Sequence, residues 1–383
     1  PIARAILPFY PDPNQGNTSR VANANYINNL DGTTRSNQFD VRIDHQFSSK
    51  HMIFGRLSQK QNPSQSTNSL LLPNDTTFND HRQAVVSYTW TISPTLLNEF
   101  RGGISFSKSG SEFLFDGRSF SNSLNLQDIQ KDIFFNALPA FAIQNLTGFS
   151  KGRPGRGASW NTQYIDNLTW SKGKHTVKFG VAIRQLRAES NLGFTTGDNY
   201  GNYSFSGNFS NAPFGDFLLG APIQTSVSVV QSDNDGRGTH YQAYVQDTFR
   251  ATSRLTLDLG LRYEFQPGYS DAGFNIANFD RTVPVTGRVI TMSDPQAIKL
   301  VAPATLLSVN ACPAAAIGGV PCTPFVTAKQ AGLPEALRKN YATQFLPRLG
   351  FAYRLGDRTT VRGSFGIYNM ALLGFVFFSL TGT

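Results

Sequence analysis

The sequence predicts an all-β chain that forms part of an antiparallel transmembrane β-barrel, and three observations predict it. Apolar and polar residues alternate over many stretches of about ten residues, such as "LTLDLGLRYEF" at Leu255–Phe265, which is the side-chain period of a strand with one greasy and one wet face. The connections between these stretches are short and long almost in turn. No stretch of comparable strength shows the i, i+3, i+4 spacing of an amphipathic helix.

Taken in order, Asn37–Phe47 sets Phe39, Val41, Ile43, His45 and Phe47 against Asp40, Arg42, Asp44 and Gln46. Ala84–Ile92 places Ala84, Val86, Tyr88, Trp90 and Ile92 on one face, and Asn98–Ser107 sets Phe100, Ile104 and Phe106 against Glu99, Arg101 and Ser105. His175–Gln185 sets Val177, Phe179, Val181 and Ile183 against Lys178 and Arg184. Thr360–Tyr368 sets Val361, Phe365 and Ile367 against Arg362 and Ser364. Weaker candidates at 51–58, 160–171, 200–206, 223–232, 240–249 and 344–355 bring the total to about twelve. Each has about the ~9–11 residues that a tilted strand needs to cross a bilayer.

Tight connections are expected at 48–51, 93–96, 172–175, 250–254 and 356–359, and long ones at about 61–81, 108–159, 191–199 and 267–343. A membrane barrel has short turns at its periplasmic end and long loops outside, whereas a compact soluble domain rarely carries a structureless loop beyond ~12–15 residues. Two segments break the alternation. "APFGDFLLGAP", Ala212–Pro222, falls in a short slot and could form one or two helical turns, and "DNDGRG", Asp233–Gly238, falls in a long one. The expected layout is one unit: a loop over 1–36, strands over 37–368 with long extracellular loops at 108–159 and 267–343, and a truncated loop over 369–383.

Composition points the same way. The chain has 31 Phe and 13 Tyr in 383 residues, yet only 40% hydrophobic and 15% charged residues, which suits short strands and polar loops better than thick helical cores. On the apolar face, aromatics gather near strand ends at Phe47, Trp90, Phe106, Trp170, Phe249, Tyr263 and Phe265, as girdles at the two lipid–water boundaries would require. The opposite face carries Arg42, Asp44, Arg56, Glu99, Arg101, Arg184, Asp258, Arg262, Glu264, Arg348, Arg354 and Arg362, which in a large barrel would line a wet or plugged lumen.

The net charge of +9 fits nucleic acid, an anionic membrane surface or anionic ligands equally. The densest basic run, "KGRPGRG" at Lys151–Gly157, has no nucleic-acid-reading module beside it and reads as a solvated loop, so no nucleic-acid partner is expected. Cys312 and Cys322 share a Pro/Gly/Ala-rich segment without a nearby His. They are disulfide candidates rather than metal ligands. The five histidines are scattered, His51 and His175 fall in expected turns, and no catalytic or nucleotide-binding motif occurs. No enzyme activity, cofactor or metal is expected.

Six phrases in order also resemble TonB-dependent outer-membrane receptors, and within them the Oar-like group, whose members carry a carboxypeptidase-regulatory-like domain before the plug. They are "RIDHQFSSKHMIFGRLS" (42–58), "NEFRGGISFS", "GKHTVKFG" (173–180), "FGDFLLGAP", "YVQDTFRATSRLTLDLGLRYEF" (244–265) and "LPRLGFAYRLGDRTTVRGSFGIY" (346–368). The resemblance implies a barrel of about 22 strands with an N-terminal plug, energised by the TonB complex through an N-terminal part. This sequence shows no TonB box, plug, regulatory-like domain or terminal aromatic strand, and both its ends look like cuts. Its strands are therefore expected to be about half of a barrel, because open edges in lipid are not viable. The implied partners are outer-membrane lipid and lipopolysaccharide, the TonB complex and a scarce extracellular small ligand. Two rivals use the same strands: a secreted β-rich adhesion or carbohydrate-binding protein, with the apolar face as a sandwich core, and an outer-membrane enzyme barrel, which would need a Ser/His pair on one rim.

Overall fold

The computed structural model describes residues 2–16, 25–68, 70–126, 136–151, 155–190, 200–227, 234–301 and 323–370. Ten long strands form its main sheet: β1 (Asn37–Ser48), β2 (His51–Gln61), β3 (Asp75–Ser93), β4 (Leu96–Glu112), β5 (Arg156–Lys172), β6 (His175–Ser190), β7 (Asn234–Phe249), β8 (Leu255–Phe265), β9 (Gln344–Arg354) and β10 (Thr360–Gly366). Each pairs antiparallel with the next in sequence, so the sheet is an unbroken meander.

Five hairpin turns lie at one end of this sheet, between β1 and β2, β3 and β4, β5 and β6, β7 and β8, and β9 and β10. The β5–β6 turn is only Gly173 and Lys174, with Gly173 at φ +59°. A two-residue hairpin needs positive φ at its first central position, which glycine adopts without a Cβ clash. The four connections at the other end are long, spanning 62–74, 113–155, 191–233 and 266–343. The pairing of β4 with β3 and β5 continues past Lys108 to Glu112 and Gly110, so the connection expected to begin at 108 begins later.

Of the twelve expected strands, ten are long strands of this sheet and two are not. Among the described residues, the stretches at 200–206 and 223–232 contain only Asn202–Phe205 and Gln224–Ser226, which pair with each other and, through the first, with Leu138–Ile143 in a separate four-stranded sheet. Both stretches therefore sit inside one long connection. With them removed from the wall, short and long connections alternate strictly, and the two misfit segments fall into place. "PFGDFLL" is the helix Pro213–Leu219, ended by Gly220 at φ +71°, and "DNDGRG" runs into the start of β7.

The long connections carry their own cores. The first contains Ile6, Leu138, Phe141, Ile143, Phe149, Phe205 and Phe217, drawn from the N-terminal segment and from the 62–74, 113–155 and 191–233 connections. Phe9 packs edge-on against Phe115 and Phe120 at 5.4 and 5.2 Å between ring centroids. The second lies within 266–343, where a three-stranded sheet (277–280, 288–291, 325–327) and the helix Pro295–Lys299 enclose Tyr269, Ile276, Ile290, Met292 and Leu337. Leu186 of β6 packs against this core. Much of the phenylalanine is accounted for here, outside the main sheet. No helix among the described residues is long and apolar enough to cross a membrane, which leaves crossing by strands open.

Candidate functional site

The register sorts side chains into two faces across all ten strands. One row runs Ile43, Gly55, Val86, Gly102, Tyr164, Ile183, Tyr241 and Phe265. At the other edge, Leu261, Leu259 and Leu257 stand opposite Pro347, Leu349 and Phe351. This face is apolar and open: Ile43 is 69% exposed, Val181 56% and Phe365 63%. A sandwich would bury these side chains against a second sheet, and no sheet covers them among the described residues.

Two aromatic belts bound the apolar face. At the short-turn end stand Phe47, Trp90, Trp170 and Phe249, with His175 stacked on Phe249 at 4.4 Å and His51 on Trp90 at 5.9 Å. At the far end, Phe106 meets Trp160 at 5.1 Å, Tyr263 meets Phe345 at 5.1 Å, and Tyr241 meets Phe265 at 6.4 Å. Trp160 and Trp170 lie ten residues apart on β5, about 33 Å along a strand or roughly 25 Å across a bilayer at a tilt of about 40°. That is the height of the apolar band of an outer-membrane barrel, about 25 Å.

His51 and His175 are thus the first residues of β2 and β6 rather than free turn residues, and both have polar partners. His51 Nδ1 lies 2.6 Å from Tyr88 Oη, and His175 Nδ1 lies 2.7 Å from an Asp247 carboxylate oxygen. Asp166 also falls on the apolar face, where Asn98 Nδ2 donates to it at 2.8 Å. Local partners of this kind reduce the cost of placing polar groups in an apolar band.

All twelve charged residues expected to share a face do share it, opposite the apolar one. Arg42 stands across from Arg56, Asp44 joins Arg101 through Phe54 and Ser87, and Arg184 follows through Val85, Gly103 and Gln163. Glu99 connects through Asn167, Gly180 and Tyr244 to Arg262. Asp258, Glu264, Arg348, Arg354 and Arg362 complete the set on β8, β9 and β10.

The two halves of the polar face differ. On β1–β4 the arginines are matched: Arg42 with Asp44 at 2.7 Å, Arg56 with Asp40 at 2.8 Å, and Arg101 with Glu99. These pairs are exposed and screened by solvent; their main effect is to cancel charge. On β6–β9, Lys178, Arg184, Arg262 and Arg348 face only Glu264 and Asp258. Glu264 accepts from Arg262 Nε at 2.7 Å and from Gln266 Nε2 at 2.8 Å. Asp258 accepts from Thr248 at 2.7 Å. Arg348 lies over the Tyr368 ring at 4.7 Å, and its Nε is buried with no hydrogen-bond partner. Lys178, Arg262, Arg348 and Tyr244 line a cleft of about 270 Å³ floored by Gly260. Arg354 sits lower, donating to the Ser253 carbonyl at 2.9 Å in the β7–β8 turn.

At the far end of this half, Arg184 stands directly across from His240. His240 is 1% exposed and packs edge-on against Tyr269, 5.9 Å between ring centroids. From the 266–343 connection, Arg338 reaches in and donates to the Gln266 carbonyl at 2.8 Å. Burial pushes the Tyr269 hydroxyl up to about 12, although Arg184 and Arg338 pull the other way. His240 and Arg338 were not legible as site residues in the sequence, since one is a lone His in a weak strand and the other arrives from 98 positions further on.

Lys151, at the head of the basic run, does not stand free. It pairs with Asp75 and donates to Asn68 Oδ1 at 2.6 Å. Cys312 and Cys322 lie outside the described residues.

A family model described as outer membrane beta barrel domain matches residues 1–382. This chain belongs to that family. The sheet is antiparallel, and the family places the chain in the outer membrane. Among solved structures, it is similar to the alcaligin outer-membrane receptor FauA of Bordetella pertussis, at 10% identity and a TM-score of 0.43 over 86% of this chain and 35% of that one. It is similar to Pseudomonas aeruginosa FpvA bound to a ferric pyoverdine, at 10% identity and 0.46, over 87% and 35%. The third is the ferric-catecholate import receptor Fiu of Escherichia coli, at 10% and 0.42, over 87% and 43%. This outer membrane barrel domain chain therefore spans less than half the length of those receptors. The search of curated proteins finds no match.

Proposed function

We propose that the chain supplies part of the wall of a TonB-dependent outer-membrane receptor, of the Oar-like group with its regulatory-like domain. In this reading the apolar face meets lipid and lipopolysaccharide. The polar face, with Arg42, Asp44, Arg56, Glu99, Arg101, Arg184, Asp258, Arg262, Glu264, Arg348 and Arg362, lines a lumen closed by a plug from the rest of the receptor. The long connections capture a scarce small ligand outside, and the TonB complex drives its passage to the periplasm. The observation that carries this reading is the division of ten strands into one open apolar face and one charged face, with all five short turns at one end. A simple diffusion pore would share that division. The large, separately cored connections at the other end favour a gated receptor instead, because they hold ordered surface over the barrel mouth.

The test uses the full-length receptor. It should co-purify with the periplasmic domain of TonB and lose that association when its N-terminal TonB-contacting segment is deleted. A full-length protein that folds into the outer membrane without binding TonB would contradict the transport reading while leaving the barrel intact.

A further inference from the structure

The unmatched half of the polar face carries an inference that rests on the lumen reading above and deepens it. We infer that Arg184 and Arg338 form an oxyanion-binding site beside His240 at the far end of the β6–β7 wall, and that the ligand presented there bears a carboxylate or phosphate group.

Three observations converge on it. First, the cations there lack carboxylate partners: no ion pair involves Arg184 or Arg338 among the described residues, while Glu264, on the same face, is held by Arg262 and Gln266. Second, the Nε of Arg184 and the Nε of Arg338 are both buried without a hydrogen-bond partner. A buried donor left unsatisfied is costly, most of all on a cation, so two in one cluster mark a place built for a group that accepts from them. Third, the cluster is assembled by rigid parts. Arg184 and His240 are a cross-strand pair on long paired strands. Arg338 is fixed by the Gln266 carbonyl, and Tyr269 packs on His240 from a connection with its own core.

Guanidinium forks match the planar, two-oxygen edge of a carboxylate or phosphate and bind it in two parallel hydrogen bonds. Further down the same wall, Arg262, Arg348 and Lys178 continue the positive charge toward the short-turn end. An anion leaving the upper site therefore meets cations along β6–β9, whereas the arginines of the β1–β4 polar face are each paired with an acid.

The experiment uses full-length receptor purified in detergent, titrated calorimetrically with citrate and, separately, with inorganic phosphate, the relative affinities separating the two group types. Saturable binding of at least one probe is expected. Arg184→Gln combined with Arg338→Gln should weaken it at least tenfold, and 0.5 M NaCl should weaken it in the unmodified protein. Arg42→Gln combined with Arg101→Gln removes the same charge from the matched half and should leave it unchanged. Heat-modifiable gel mobility confirms that each variant is folded. If the double variant does not fold, Arg184→Gln alone replaces it, with weakening still expected. No saturable binding of either probe, or equal binding by both double variants, overturns the proposal. TonB association retained without anion binding defeats this inference alone, and anion binding without TonB association defeats only the transport reading.

Discussion

At the scale of single residues, the two faces make opposite demands. Leu259 sits mid-strand on the apolar face between Asp247 and Leu349. Leu259→Arg places a charge in the band and should cost ~2–4 kcal/mol if the site lies at the midplane, read as a lower urea midpoint in folding into lipid vesicles. Arg262→Gln, on the other face, keeps a polar partner for Glu264 and should shift that midpoint little. Gly180 makes a different demand. A Cβ there would overlap the Tyr244 ring, which lies across the glycine so that its hydroxyl can donate to Asn167 Oδ1 at 2.9 Å. Gly180→Val should therefore slow or block insertion, and Gly180→Val with Tyr244→Ala should recover much of it. Equal defects in the single and double variants would show that this packing does not limit folding.

At the scale of elements, the ordered connections are where stability outside the wall resides. Phe217 on the helix Pro213–Leu219 is 1% exposed and contacts Phe141, Phe205 and Phe214. Phe217→Ala should cost that unit about 3–5 kcal/mol, seen as faster proteolysis within 113–233 while the strands remain protected. In the other connection, Asp280 accepts from Thr282 Oγ1 at 2.7 Å, from the Thr282 amide at 2.9 Å and from Arg288 at 2.8 Å. These contacts lower its pKa to about 2. A depressed folded-state pKa stabilises above the unfolded value of about 3.9 and loses that contribution as pH falls through the folded one. Pepsin cleavage near 277–291 should therefore rise between pH 4 and pH 2, and Asp280→Asn should abolish that pH dependence. The sequence shows the wall strands clearly because lipid and lumen impose alternation on them. It shows β3 only from Ala84, because its outer part, from Asp75, is under no such demand. The four-residue strand Asn202–Phe205 alternates by chance and passes for a wall strand, although its partner is the parallel strand Leu138–Ile143.

At the scale of the whole molecule, the face division was legible in the sequence and the upper cation cluster was not. Face membership depends only on parity along each strand, so Arg42 and Arg362 could be placed together without knowing which strands pair. The cluster depends on register and on loop folding. Arg184 meets His240 only because the β6–β7 pairing sets them opposite, and Arg338 joins them only through the fold of 266–343. In the proposed receptor the apolar face of the ten-strand sheet meets lipid while the charged face meets the lumen. The most direct test of this placement is a spin-label scan of β8 from Leu257 to Glu264, in full-length receptor in lipid vesicles, with Cys312 and Cys322 replaced by Ser. Labels at 257, 259 and 261 should show high collision with lipid-dissolved oxygen and little with an aqueous nickel chelate, and labels at 258, 260 and 262 should not. Oxygen-rich even positions, or no alternation along the strand, would overturn this placement of the two faces.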